Sequence, residues 1–192
     1  MSRLLLLITA AIAFTASALA QAKTWKIDPN HTAAQFSVRH LGISTVRGAF
    51  TKVSGTATYD PADPGKDSIE VTIDASSVDT RVEMRDNDLR SPNFFDVAKY
   101  PTLTFKSKRV EVAGAGKLKV TGDLTIRDVT RELRLPFTFR TADEQGVASA
   151  YMNGKVTIRR LDFGVGQGDW RATDQVGDAV AVSFALRLTP AH

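Results

Sequence analysis

The densest set of side chains that could do chemistry is Arg85, Asp86, Asp88 and Arg90, within two turns of a short stretch, Thr80–Pro101. Two guanidinium groups beside two carboxylates in so short a stretch suggest an active site. The same spacing fits surface ion pairing on a helix, Arg85–Asp88 at i, i+3 and Asp86–Arg90 at i, i+4, each worth about 0.2–0.5 kcal/mol. The structural reading is the better one. A sharper use would make Arg85, with Lys99, a cationic rim for an anionic head group.

Other chemistries find little support. Of three histidines, His192 is terminal, and His31 and His40 lack the helical spacing of a metal pair. There is no cysteine, which removes thiolate ligands, disulfides and a lipid-modified cysteine anchor together. No G-x-S-x-G elbow is present, and Gly164-x-Gly166-x-Gly168 has the wrong spacing for a dinucleotide fingerprint. Asn30-His31-Thr32 matches a glycosylation sequon, a short and often accidental pattern. The expectation is a non-enzymatic protein with no cofactor and no metal. A hydrolase built from the Arg85–Asp88 cluster and His40 is the weaker alternative.

The elements around the charged stretch are strands. Thr32–His40 puts Ala34, Phe36, Val38 and His40 on one face, and Lys117–Arg127 puts Leu118, Val120, Gly122, Leu124 and Ile126 on one face. Asp67–Asp74, Thr102–Val112, Arg131–Arg140, Ala148–Arg160 and Gly177–Thr189 alternate likewise. Parity slips by one residue around Thr51-Lys52, which predicts a bulge or sharp bend there. Pro136 faces outward and cannot donate to a ladder, so its N–H side is an edge, a bulge or a wide pair. Within Thr80–Pro101 the alternation stops: Thr80 and Glu83 have capping-box spacing, and Ser91-Pro92 reads as a second helix start. The pattern predicts about eight antiparallel strands in one up-and-down-like barrel, with a two-part helical insertion over residues 80–99.

Arg3, the apolar run Leu4–Phe14 and Ala18-Leu19-Ala20 form a secretory signal peptide, Met1–Ala20, cleaved after Ala20 or Ala22. The mature single domain then starts at 21, is exported to the periplasm, and carries no stable membrane anchor. Loss of Arg3 lowers the net charge of +4 by one, so the basic balance is a small surplus. The short run Lys106–Arg109 lies on a strand face, and no nucleic-acid partner is expected. Inward positions mix Phe36, Phe50, Phe105, Phe137, Phe139 and Phe184 with Gly48, Gly55, Ala57, Gly122, Ala150 and Gly154. Such a mixture can leave an apolar cavity, or the rings can fill the gaps.

Several motifs together resemble the YceI-like family of exported, lipocalin-like, polyisoprenoid-binding proteins. They are Trp25–His31, Phe36–Gly42, Val46–Phe50, Arg85-Asp86 to Leu89, Ser91, Phe94–Asp96, Lys99–Pro101, Gly122–Arg127 and Arg160–Gly164. Asp128 stands where the family often has glycine, and Gln167–Gln175 matches no motif. The resemblance implies an eight-stranded all-β barrel whose pore sequesters an isoprenoid, quinone-like or fatty-acyl amphiphile. Phe36, Val38, Phe50, Phe105, Leu124, Phe137, Phe139 and Phe184 are then expected as pore wall and Phe94 and Phe95 as lid. His40, Arg85 and Lys99 are the candidates for the polar rim. The competing role is a stress-related or interaction module with a filled barrel. Open sheet edges near Pro136 leave room for a homodimer.

Overall fold

The computed structural model describes residues 23–60 and 63–191. The expected signal peptide Met1–Ala20 and both cleavage positions lie outside the described residues, as do Pro61 and His192. Among the described residues eleven strand segments and one α-helix follow in order: β1 Lys23–Ile27, β2 Ala33–His40, β3 Ser44–Phe50, β4 Val53–Tyr59, β5 Ser68–Asp74, β6 Val78–Asp79, α1 Glu83–Arg90, β7 Thr102–Gly114, β8 Lys117–Ile126, β9 Val129–Glu144, β10 Val147–Arg159 and β11 Val176–Pro190. All pairings are antiparallel, and β1 closes the ring against β11. The ring is an eight-stranded barrel of β1, β4, β5, β7, β8, β9, β10 and β11. The remaining segments β2, β3 and β6 continue three of these staves beyond a break.

Each break has a local cause. Asp28 accepts from the Asn30 N–H at 3.0 Å and, with Pro29 fixing φ, turns the chain between β1 and β2. The parity slip at Thr51-Lys52 is a real interruption: the Thr51 N–H donates to Ser77 O and the Lys52 N–H to Ser77 Oγ. Asp74 caps the short turn Ala75–Ser77 by accepting from the Ser76 N–H at 2.9 Å. At Pro136 the β9–β10 ladder ends, its last pair being Phe137 opposite Gly154. From there Val129–Pro136 pairs with β8 alone, so the two strands part toward one end of the barrel.

The outer face is polar and cross-linked. Lys106 faces Glu70 in register with Nζ 3.1 Å from the carboxylate, and Lys108 Nζ lies 2.6 Å from Asp123 and 3.4 Å from Glu132. That accounts for the basic run as a solvated sheet face, with cross-strand pairs of about 0.2–1 kcal/mol each.

The insertion departs from the expected two-part helix. α1 begins only at Glu83, after Arg81 in a left-handed conformation (φ +63°), and Val82 caps it without a side-chain bond. The capping box between Thr80 and Glu83 does not form, because buried Asp86 takes both Thr80 groups: the N–H donates at 2.9 Å and the hydroxyl at 2.5 Å. Residues 91–99 are turns rather than a second helix. Neither Arg85–Asp88 nor Asp86–Arg90 pairs. Arg85 instead donates to Thr80 Oγ1 and O, and Arg90 to Ser76 O and Val78 O. Backbone carbonyls beside the short helix win these guanidinium groups: Asp86 is buried and occupied by Thr80, and Asp88 is exposed to water.

A charged clasp ties the β1–β2 break to the end of the barrel away from α1. Arg187 on β11 donates to Asp28 Oδ2 at 2.8 Å and to Glu144 Oε2 at 2.9 Å, while the Tyr151 hydroxyl also donates to Glu144. Tyr151 and Arg187 hold the Glu144 carboxyl below its ordinary 4.5. Partial burial works against ionised Asp28, but His31, the Asn30 N–H and Arg187 together keep it below 3.8. Because both folded values are depressed, the clasp's contribution is present above about pH 4.5 and is lost as pH falls through the folded values. An Arg187→Met variant will therefore melt a few degrees lower than wild type at pH 7. The gap will close as the pH is lowered toward 3, as thermal melts across that range will read.

Candidate functional site

The barrel encloses a cavity of about 220 Å³. Phe36, Val38, Phe50, Phe94, Phe95, Phe105, Leu124, Phe137 and Phe184 all line it. Phe139 does not. It stacks with Tyr59 (ring centroids 4.4 Å apart) and meets Trp25 edge-on (6.4 Å), and so belongs to the packed plug at the closed end. Phe36, Val38, Leu124, Leu135, Val182 and Phe184 point inward yet are only half-buried. An inward apolar residue stays accessible only if the space it faces is unfilled.

Three of the wall rings are shaped by glycine. Phe36 lies opposite Gly48, Phe184 opposite Gly154, and Phe105 diagonal to Gly122. A Cβ on Gly48 would stand 2.5 Å from Phe36 Cζ, one on Gly154 2.4 Å from Phe184 Cζ, and one on Gly122 2.6 Å from Phe105 Cζ. Each ring folds flat over a missing side chain and becomes wall. The glycines are thus filled by neighbouring rings, as one of the two sequence readings had it, and the lumen remains open all the same.

One end is covered by the insertion. Leu89 of α1 and Phe94 and Phe95 of the turns reach the cavity. Phe95 meets Phe50 at 5.4 Å and Phe94 meets Trp170 at 5.4 Å. The Asn93 carbonyl accepts from the Gly166 and Gln167 N–H groups at 2.9 and 2.7 Å, so this lid and the loop after β10 are one unit. Arg127, left-handed in the β8–β9 turn, fastens it: its Nη1 donates to Pro92 O (2.8 Å), Phe94 O (2.5 Å) and Gly164 O (3.3 Å), and its guanidinium lies 5.4 Å from the Tyr100 ring centre.

The three polar-rim candidates do not reach the lining. His40 sits at the end of β2, where its carbonyl accepts from Ser44 Oγ. Arg85 is occupied by Thr80, and Lys99 is exposed with its ammonium 5.1 Å over the Tyr100 ring. The cavity's polar members are Gln35, exposed on the outward parity of β2, and Arg160, which is 4% exposed. The sequence does carry a signal for Arg160. It continues the inward series Ala150, Met152, Gly154, Val156, Ile158 of β10. Among the described residues no three His, Asp or Glu side chains converge as a metal site. The arrangement offers an apolar enclosure with one cation in its wall.

Two variants test the lid and the wall. Arg127→Ala removes charged hydrogen bonds to three lid and loop carbonyls, with an expected loss of about 1.5–3 kcal/mol. Hydrogen exchange should rise chiefly over residues 91–97. Gly48→Ala should fold but push the Phe36 ring into the lumen, so that uptake of an apolar fluorophore falls more than the melting temperature does.

A YceI-like domain model matches residues 25–188. A UPF0312 protein of Vibrio cholerae is 38% identical over 137 residues, which is 70% of this chain and 72% of the relative. A UPF0312 protein of Pseudomonas aeruginosa is 36% identical over 150 residues, 76% of this chain and 78% of the relative. Among solved structures, BcnA of Burkholderia cenocepacia superposes with a TM-score of 0.77 at 31% identity, covering 84% of this chain and 98% of that one. The YceI protein of Campylobacter jejuni gives 0.71 at 30%, covering 80% and 90%. A polyisoprenoid-binding domain from Saccharophagus degradans gives 0.68 at 16%, covering 89% and 100%, a likeness of fold. The chain belongs to the YceI-like family.

Proposed function

We propose that the protein is a non-enzymatic carrier that sequesters a long-chain isoprenoid, quinone-like or fatty-acyl amphiphile inside its barrel. The observation that carries this reading is an apolar lumen left open between a packed aromatic plug and a fastened lid. A protein that acted only through its outer face would gain stability by filling that space. The polyisoprenoid-binding description of the S. degradans domain, which shares the fold, agrees with it.

The signal-peptide pattern of Met1–Ala20 supports export to the periplasm, with a mature chain from 21. Among the described residues no helix is long and apolar enough to cross a membrane. An aqueous compartment gives such a carrier its use, because a long apolar tail cannot cross water unaided.

The driving force is transfer of the tail out of water, about 0.8 kcal/mol per methylene. Ten methylenes supply about 8 kcal/mol, which is comparable to the association and ordering cost of roughly 4–15 kcal/mol. Short amphiphiles should therefore bind weakly, and affinity should climb with chain length until the plug at Phe139 and Trp25 is met. Mass spectrometry of organic extracts from untreated protein should show a co-purified long-chain amphiphile. Delipidated protein should bind prenols or quinones with a rise in melting temperature, and Leu135→Trp, which fills the lumen, should abolish the effect. Protein that carries no lipid and responds to neither class would overturn the carrier reading.

A further inference from the structure

Arg160 is a buried cation in the cavity wall. It extends from the end of β10, where that strand has already parted from β9, and it lines the cavity together with Val165 and Val176. Its Nη1 donates to Val165 O at 2.9 Å, its Nη2 to Val176 O at 2.7 Å and its Nε to Gly177 O at 3.0 Å. Those bonds use three of five N–H groups, leaving one on each terminal nitrogen. Gly166 allows the loop to close on one side, since a Cβ there would stand 2.0 Å from Arg160 Nη1. The carboxylate whose charge acts on it, Asp178, is engaged by Arg159 Nε at 2.8 Å and by the Leu161 N–H at 3.0 Å. Among the described residues no carboxylate lies within ion-pair distance of Arg160. Carbonyl dipoles solvate the guanidinium but leave its net charge standing in an apolar enclosure, and a guanidinium cannot shed its proton to escape that cost.

We propose that Arg160 anchors the head group of the bound amphiphile, and that this head group presents an anionic oxygen, as a carboxylate or a phosphate does. The assignment rests on the carrier reading above and narrows it. An anion placed against the two unspent N–H groups would neutralise the buried charge and make the charge-assisted contacts that carbonyls alone do not complete. Arg160 lies on the lid side of the cavity, so the tail would run down the lumen toward Phe137, Met152 and Leu186. Val165 and Val176, whose carbonyls hold the guanidinium, would flank the head. Neither His40, Arg85 nor Lys99 is needed for this.

The test uses matched pairs on delipidated mature protein: hexadecanoate against hexadecanol, and farnesyl phosphate against farnesol. Wild type should bind the charged member of at least one pair about tenfold or more tighter than the neutral one. The pair with the larger preference identifies a carboxylate or a phosphate head. Arg160→Met should erase the preference while the alcohol's affinity holds, and Arg160→Lys should keep part of it. Equal affinities within both pairs would overturn the head-group assignment and leave the carrier reading intact, whereas binding of no member would overturn both. Should Arg160→Met fail to fold, wild type alone decides. The carboxyl of carbon-13-labelled hexadecanoate in the complex should titrate below the value of a free short-chain alkanoate measured in the same buffer. A bound carboxyl titrating above it, as desolvation without a cation dictates, would overturn the proposal.

Discussion

The open lumen depends on close contact between phenylalanine rings and glycine backbones. A ring that projected from β2, β7 or β11 at full length would meet the rings opposite and seal an eight-stranded barrel, which is just wide enough for side chains to fill. Phe36, Phe105 and Phe184 lie down instead, because Gly48, Gly122 and Gly154 each leave a side chain's width of wall vacant beside them. The aromatic surface is then presented sideways to the cavity as a smooth apolar lining. At the other end the same residue type does the opposite: Phe139 has Tyr59 and Trp25 as neighbours rather than glycine, and the barrel there is full.

That contrast explains what sequence reasoning could read. Period-two alternation located the wall, because inward parity is a property of each strand by itself. It placed Phe36, Val38, Phe105, Leu124 and Phe184 on the inner face. It also placed Phe139 there, and correctly so, but whether an inner residue meets space or another ring depends on cross-strand register and height along the barrel. Neither is written in one strand. The slip at Thr51-Lys52 was legible for the same reason that the wall was. The three broken staves were less so, since Asp28-Pro29 and Asp74–Ser77 turn the chain without leaving the sheet.

The charged stretch was misread in its details because local spacing is a weak rule beside tertiary acceptors. On an isolated helix Arg85, Asp86, Asp88 and Arg90 would pair with one another. Here the helix is short and leans on β6 and the residues flanking it, where the carbonyls of Ser76, Val78 and Thr80 take both guanidinium groups. Arg160 illustrates the converse. Its parity on β10 was plain, yet a charged residue at an inward position reads as the end of a strand until the loop carbonyls that solvate it are seen.

An unfilled apolar cavity also sets an energetic condition on the whole molecule. At about 24 cal/mol per Å³, a void of about 220 Å³ corresponds to a deficit of order 5 kcal/mol relative to a filled core. That rivals the 5–15 kcal/mol by which a typical domain is stable. A barrel built around such a lumen must therefore draw its stability from elsewhere: the aromatic plug, the Arg187 clasp, the cross-strand pairs outside and the Arg127 fastening of the lid. A tail entering the lumen restores the missing contacts, and the free energy of filling is shared between binding and stability. Phe94 and Phe95 border the lumen, so a tail within it would pack against the underside of the lid. The loop that Arg160 secures carries Trp170, which packs on Phe94, and through that contact the wall, the lid and the cation beneath it form one contiguous unit.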